Sequence, residues 1–286
     1  MSSLNVWRSW LYVPGDRPER VDKALDSDAD CVIIDLEDAV APANKALARD
    51  TVRQVASHEA TKPLLVRLNA SGTADQALDI AALQQLPGVQ GIRVPKCENA
   101  AQVSAIAEQL PGTALHLLIE SAKGLQSVDE LATAHPQVAT IALGEADLRA
   151  DMRITDESHL GYARGRIVAA AAAENLIAPP QSVYTNIDDL DGLRATSLQA
   201  KGAGFFGRTV IHPKQIDIVN TIFLPSTADV DQARALVEAL DARDDQAALV
   251  LPDGRFVDPA VARSARETLH LATTFGTNDA STKGAQ

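Results

Sequence analysis

Eight short apolar runs, each followed by a stretch of helical composition, constrain this chain more than any other feature. The runs are Trp10–Val13, Cys31–Leu36, Leu64–Leu68, Gly91–Val94, Leu115–Ile119, Thr140–Leu143, Ser182–Thr185 and Phe205–Ile211. Several are continuously apolar, as parallel strands buried on both faces must be. Between them lie Ala-, Leu- and Gln-rich stretches such as Asn99–Gln109 and Tyr162–Asn175, which favour helix. Strands joined by helical crossovers make a parallel α/β sheet, and a count of eight favours a closed (β/α)₈ TIM barrel over an open doubly wound sheet. No G-x-G-x-x-G follows the first run, so the usual phosphate cradle of a dinucleotide-binding sheet is missing. A barrel of this kind takes about 250 residues. The 286 residues therefore allow one barrel plus an extension.

The pattern changes after Pro225, which divides the chain into a barrel over 1–224 and an extension over 225–286. Ser226 or Thr227 is placed to cap a helix reaching about Arg243. Ala248–Leu251, the turn Pro252-Asp253-Gly254 and Arg255–Val257 read as a small hairpin. Asp258-Pro259 opens a last helix with proline at its first position, and the small, polar tail from Gly276 is expected to fray.

Charge narrows the function classes. The net charge is −12 and the sequence pI about 4.9. Such a chain repels nucleic-acid phosphates and anionic lipid, so neither nucleic acid nor membrane is an expected partner. No run approaches the roughly 18 apolar residues of a membrane span, and no secretory signal is visible. The two cysteines, Cys31 and Cys97, build neither a disulfide scaffold nor a zinc cluster, and the chain reads as cytoplasmic. An anionic substrate would then need a local device: an arginine, a helix N-terminus or a metal.

In a (β/α)₈ barrel the chemistry lies at the C-terminal ends of the strands. The second run ends Asp35-Leu36-Glu37-Asp38, the third carries Arg67 and ends at Asn69, and the fourth leads to Pro95-Lys96. The fifth ends at Glu120, and the sixth leads to Gly144-Glu145-Ala146-Asp147. Glu120 and Asp147 come from adjacent strands, about 4.8 Å apart. Two carboxylates that close repel unless one is protonated or a cation lies between them. Mg²⁺ takes one or two carboxylates and fills its other positions with water or substrate oxygens. The alternative is one carboxylate as a helix cap and the other in an ion pair.

Arg67, inside an apolar strand, needs a partner. Glu37 or Asp38 would supply a structural ion pair, while a substrate carboxylate would use the guanidinium as a two-pronged fork. Glu37 and Asp38 read either as charges at the start of the next helix or as groups that orient Arg67 and metal-bound water. Lys96 is placed either to form a Schiff base or, more in keeping with its neighbours, to neutralise nearby carboxylates. Arg17 and Arg20 either meet an anionic tail such as a nucleotide phosphate or stand as solvated charges.

Several of these stretches carry a resemblance. Arg8-Ser9-Trp10-Leu11-Tyr12-Val13-Pro14-Gly15-Asp16-Arg17-Pro18-Glu19-Arg20, Ile34-Asp35-Leu36-Glu37-Asp38-Ala39-Val40 and Val66-Arg67-Leu68-Asn69 occur in order. Pro95-Lys96, Ile119-Glu120-Ser121-Ala122-Lys123-Gly124 and Gly144-Glu145-Ala146-Asp147-Leu148 follow. Ile211-His212-Pro213-Lys214-Gln215 and Asp253-Gly254-Arg255-Phe256-Val257-Asp258-Pro259 close the series. Together they resemble the citrate lyase β-subunit-like family, within the HpcH/HpaI aldolase and malyl-CoA lyase superfamily.

The resemblance implies Mg²⁺ on Glu120 and Asp147, and a carboxylate of a 2-oxo acid gripped by Arg67. It implies citryl, malyl or citramalyl thioesters of CoA or an acyl carrier as substrates, and a homotrimer or hexamer. Asp258 matches an acidic residue that in some members reaches a neighbouring subunit's site as general acid/base. Here the motif is one residue shorter than V-D-x-P, which leaves open a role for Asp258 as a helix cap only. The backbone N–H groups of Gly144, Glu145 and Ala146 are placed to receive substrate carboxylate, with Lys96 beside them.

Three activities fit these expectations. One is a stand-alone lyase splitting a 3-hydroxyacyl-CoA into a 2-oxo acid and an acyl-CoA. Another is a citryl-carrier lyase subunit active only with partners. The third is a metal-dependent pyruvate aldolase that uses no thioester.

Overall fold

The computed structural model describes residues 6–60, 62–241, 249–250, 256–257 and 259–277. They fall into two compact units, the first ending at Asn220 and the second beginning at Thr221. The first unit runs β1 (Ser9–Pro14), α1 (Pro18–Leu25), β2 (Cys31–Asp35), α2 (Lys45–Val55), β3 (Leu64–Arg67) and α3 (Ala74–Leu83). It continues with β4 (Gly91–Val94), α4 (Ala100–Gln109), β5 (Ala114–Ile119), α5 (Ala122–Gln126), α6 (Val128–Ala132) and β6 (Val138–Leu143). Then come α7 (Glu145–Met152), α8 (Gly161–Ala173), α9 (Leu190–Gly202) and β7 (Arg208–Val210). Helix α10 (Ile216–Ile222) crosses the division between the units.

The seven strands form one parallel sheet in the order β6-β5-β4-β3-β2-β1-β7. All five residues of β2 and all four of β4 are buried. Continuous burial explains why these runs show no polar alternation: helices cover one face and side chains fill the other. Each large aliphatic side chain so enclosed contributes about 1.5–3 kcal/mol. Trp7, Trp10, Cys31, Ile33 and Leu65 make one core cluster, with Tyr12 packed against it. Local signals start the helices. Asn99 accepts from the Gln102 amide while Gln102 returns the bond, a capping box at α4. Thr73 and Ser121 cap α3 and α5 in the same manner as single acceptors.

The expected strand at Ser182–Thr185 does not form. Only Gln181 makes a bridge, with Arg208. Pro179 and Pro180 precede it and have no N–H to give a ladder. The segment uses scattered bonds instead: Ile177 N–H to Ala139 O on the β6 side, and Gln181 N–H to Gly207 O on the β7 side. Ser182 adds its hydroxyl, which donates to Leu143 O at 2.5 Å. The sheet of described residues therefore has seven strands, not eight.

In the second unit, α11 (Thr227–Asp241) is capped by Ser226, whose Oγ accepts from the Asp229 amide at 3.0 Å. It packs on α12 (Pro259–Phe275) through Ala233, Leu236 and Ala265. Strands β8 (Leu249–Val250) and β9 (Phe256–Val257) pair antiparallel, as the hairpin pattern requires. The turn between them and Asp258 lie outside the described residues. No helix among the described residues is long and apolar enough to cross a membrane.

Candidate active site

Because every strand of the sheet runs the same way, all the carboxyl ends lie along one edge. Asp35 ends β2, Arg67 ends β3, Lys96 follows β4 by two residues, Glu120 follows β5 directly and Gly144 follows β6. The sheet register sets Asp35 opposite Arg67. The polar residues scattered through the sequence thus share one rim.

Arg67 finds a partner that the sequence reading did not name. Its Nε and Nη2 donate to the two oxygens of Asp35 at 2.7 and 2.6 Å. This is the bidentate fork expected of a buried guanidinium, but its acceptor belongs to the protein. Asp35 is fixed in turn by the amides of Glu37 and Ala39, at 2.8 and 3.1 Å. The remaining edge, Nη1, lies 3.0 Å from Glu37 Oε2 and 3.5 Å from Asp38 Oδ2. The contact with Glu37 is an ion pair without hydrogen-bond geometry. The guanidinium also lies 5.0 Å from the centre of the Tyr12 ring. Burial works against its charge, but the bonds from Asp35 more than offset that and hold its pKa well above the usual range. A signal was present in the sequence: Asp35 and Arg67 occupy equivalent ends of neighbouring strands, on the same face.

Glu37 is buried, and Asp38 beside it is exposed. Lys45 holds the loop that carries them, donating its ammonium to the carbonyls of Leu36 and Glu37 at 2.6 Å each. Burial pushes the Glu37 carboxyl up to about 7, against the pull of Arg67. Lys96 donates its Nζ to Glu37 Oε1 at 2.6 Å and lies 3.6 Å from Asp38. Burial lowers the Lys96 ammonium, but its bond to Glu37 outweighs this and the net shift is upward. A free, depressed amine suited to a Schiff base is therefore not what the geometry provides. Lys96 bridges Glu37 and Asp38, as the neutralising reading expects.

Lys96 does a second thing through its backbone. It adopts a left-handed conformation with φ of 52°. Its N–H donates to Glu120 Oε2 at 2.7 Å. A residue other than glycine in this region is strained unless its surroundings require it. Glu120 is only 6% exposed. Its other oxygen faces Gly144, where a Cβ would sit 2.3 Å from Oε1. Gly144 comes to that place because its N–H donates to Ile119 O at 3.0 Å. Burial raises the Glu120 carboxyl, the Lys96 amide and Arg67 lower it, and the charge of Asp147 raises it again. Asp147 itself is exposed, in the first turn of α7. One buried and one solvent-facing carboxylate thus lie within electrostatic reach of each other.

The start of α7 is anchored by groups outside the strand-end motifs. Its N-cap, Gly144, offers no side chain. The Glu145 amide donates to Ser182 Oγ at 3.3 Å. Arg164 clamps the Glu145 carboxylate with Nε and Nη2, both at 2.8 Å. The Glu145 side chain is therefore committed to the scaffold, and Ala146 is exposed beside Asp147. Asn69 likewise serves the frame, giving its amide and side chain to Asp79, which Arg49 also holds. Arg17 lies 4.0 Å from Asp16 and is half-exposed. Among the described residues no group of three or more His, Cys, Asp or Glu side chains could hold a metal.

The fold is that of a parallel α/β enzyme with its polar groups gathered at the carboxyl edge of the sheet. The chain belongs to the HpcH/HpaI aldolase/citrate lyase family, whose model matches residues 8–213. A (3S)-malyl-CoA thioesterase of Cereibacter sphaeroides is 34% identical over 273 residues, covering 93% of this chain and 94% of that one. An L-malyl-CoA/beta-methylmalyl-CoA lyase of Rhodobacter capsulatus is 33% identical, covering 93% of this chain and 94% of its own. Among solved structures, the protein CitE of Mycobacterium tuberculosis in complex with magnesium, acetoacetate and coenzyme A has a TM-score of 0.76. It is 32% identical and covers 94% of this chain and 98% of its own.

Proposed function

We propose that this chain is a Mg²⁺-dependent carbon–carbon lyase. It would split a 3-hydroxyacyl-CoA of the malyl, citramalyl or citryl type into a 2-oxo acid and an acyl-CoA. The observation that carries the reading is the clamped Glu120 carboxyl, held by the Lys96 amide and Gly144, with the charge of Asp147 acting on it. An all-oxygen pair of carboxylates suits a hard cation that keeps other positions for water and substrate. Glu120 and Asp147 would hold the ion, which supplies Lewis-acid stabilisation of the negative charge that develops on the substrate's hydroxyl oxygen.

The residues do the rest. Asp35 fixes the guanidinium of Arg67, whose Nη1 would exchange its contacts with Glu37 and Asp38 for the carboxylate of the 2-oxo-acid half. The Gly144 and Glu145 amides are committed to Ile119 O and Ser182 Oγ, so of the three expected amides it is that of Ala146, in the first turn of α7, that would take that carboxylate from the other side. As Glu37 takes the hydroxyl proton, the carbon–carbon bond breaks and its electron pair passes to the thioester α-carbon. A general acid then protonates that carbon to release acyl-CoA. Asp258 of a neighbouring subunit in a trimer or hexamer is our candidate for this acid. Glu37, whose carboxyl burial lifts to about 7 against the pull of Arg67 and Lys96, is the proton-holding group within the rim. Segment 177–182, bonded toward both sheet edges, would serve as the eighth stave of a closed (β/α)₈ barrel.

A thioesterase reading stands second, favoured by the malyl-CoA thioesterase relative. Incubating the purified chain with Mg²⁺ and each CoA thioester separates the cases. A 2-oxo acid plus acyl-CoA identifies a lyase, whereas free CoA plus the hydroxy acid identifies a thioesterase. Activity only after addition of an acyl-carrier protein makes the chain a partner-dependent subunit. Turnover of a plain hydroxy-oxo-acid alone makes it an aldolase. Any of the last three results sinks the proposal.

A further inference from the structure

The sheet interior holds a charge that the rim chemistry does not use. Arg93, in β4, is 1% exposed. Its register partners are Arg67 on one side and His116 on the other. Two of its nitrogens, Nε and Nη1, are buried without a hydrogen-bond partner, and so is Nδ1 of His116. Among the described residues Arg93 forms no ion pair. It does make contact with the face of Trp10, with the guanidinium carbon 5.6 Å from the ring centre.

Both oxygens of Asp35 are committed to Arg67 and to two amides. Burial pushes the Cys31 thiol well up and raises the Tyr12 phenol, in each case against the pull of Arg93, so both stay neutral. Burial pushes His116 down to about 3, so the imidazole is neutral as well. A guanidinium does not give up its proton in a protein. A cation–π contact offsets only part of the cost of an isolated buried ion. Native interiors do not leave such donors orphaned without reason.

We propose that the interior binds one small monovalent anion, of halide size, against Nε and Nη1 of Arg93 and the Nδ1–H of His116. The surroundings suit that ligand. Two indoles fix the imidazole in place: His116 meets Trp10 at a steep angle with ring centres 5.4 Å apart and stacks on Trp7 at 5.9 Å. Gly91 closes off the other edge of the imidazole, since a Cβ there would stand 2.8 Å from His116 Nε2, and this leaves Nδ1 as the edge turned to a ligand. Sulfate or phosphate would need more donors than three. This site is independent of the magnesium reading, since it shares no residue with Glu120 or Asp147.

The test uses the full chain. Crystals soaked in sodium bromide should show an anomalous peak beside Arg93 and His116. The melting temperature of the wild type should rise by a few degrees from sodium gluconate to sodium bromide at equal ionic strength. Arg93→Met fills similar volume without charge and should lose that halide dependence. A bromide-free interior occupied by ordered water overturns the proposal. So does a wild-type melting temperature that is the same in both salts, whatever the variant does.

Discussion

Gly144→Ala places a single methyl group where the structure allows none. The backbone there, with φ of −93° and ψ of 83°, lies outside the left-handed region, so the effect is steric contact alone. The new Cβ would stand 2.3 Å from Glu120 Oε1, 2.5 Å from its Cγ and 2.8 Å from its Cδ. Ordinary contact begins near 3.4 Å, so the carboxyl must retreat by roughly 1 Å, a displacement that can cost about 10²-fold in rate. A free surface glutamate would swing aside at little cost. Glu120 cannot, because it is buried and the Lys96 amide holds its other oxygen at 2.7 Å. The expected result is a fall of about 10- to 100-fold in Mg²⁺ affinity. A stability loss of roughly 1–3 kcal/mol from overpacking should accompany it. Titration calorimetry with Mg²⁺, turnover of the CoA thioester and urea unfolding of the same preparation read the three effects. Unchanged magnesium affinity with a folded variant would refute the clamped-carboxyl argument.

Other substitutions probe the remaining parts of the rim. Glu120→Ala or Asp147→Ala should abolish Mg²⁺ binding by calorimetry while circular dichroism shows the fold intact; normal magnesium binding in either contradicts the ligand assignment. Asp35→Ala removes the two-pronged acceptor of Arg67 and leaves it Glu37 and Asp38, which should cost about 1–3 kcal/mol in urea unfolding; a loss below about 1 kcal/mol means the pair carries little. Arg67→Lys replaces a fork with a point charge and should weaken 2-oxo-acid binding; unaltered pyruvate or oxaloacetate affinity counts against its role. For Glu37, burial raises the folded-state carboxyl to about 7 from 4.5. The folded state then binds more protons than the unfolded between those values, so this group makes stability fall as pH rises through that window. Glu37→Gln, measured in metal-chelated buffer, should flatten that slope, and an unchanged slope would show the shift to be absent.

Much of the fold was legible because strand burial writes itself as local composition. Gly91–Val94 reads as a strand and is one, and Asn99 with Gln102 announces the start of α4. The run at Ser182–Thr185 misled because β-type residues there follow Pro179-Pro180, and backbone donors, not side chains, decide whether a ladder continues. The candidate rim was also visible, since polar residues closing apolar runs must collect at one edge of a parallel sheet.

The sequence by itself determined which residues reach that edge: Glu37, Asp38, Arg67, Lys96, Glu120 and Asp147 each stand just past or at the end of a buried run. It could not say who bonds to whom. That Arg67 spends its fork on Asp35, that the Lys96 amide rather than its ammonium grips Glu120, and that Arg93 lies buried with unfilled donors are matters of register between strands distant in the chain. Hydrogen bonds have a reach of about 3 Å. Only the folded sheet fixes distances that fine between residues tens of positions apart.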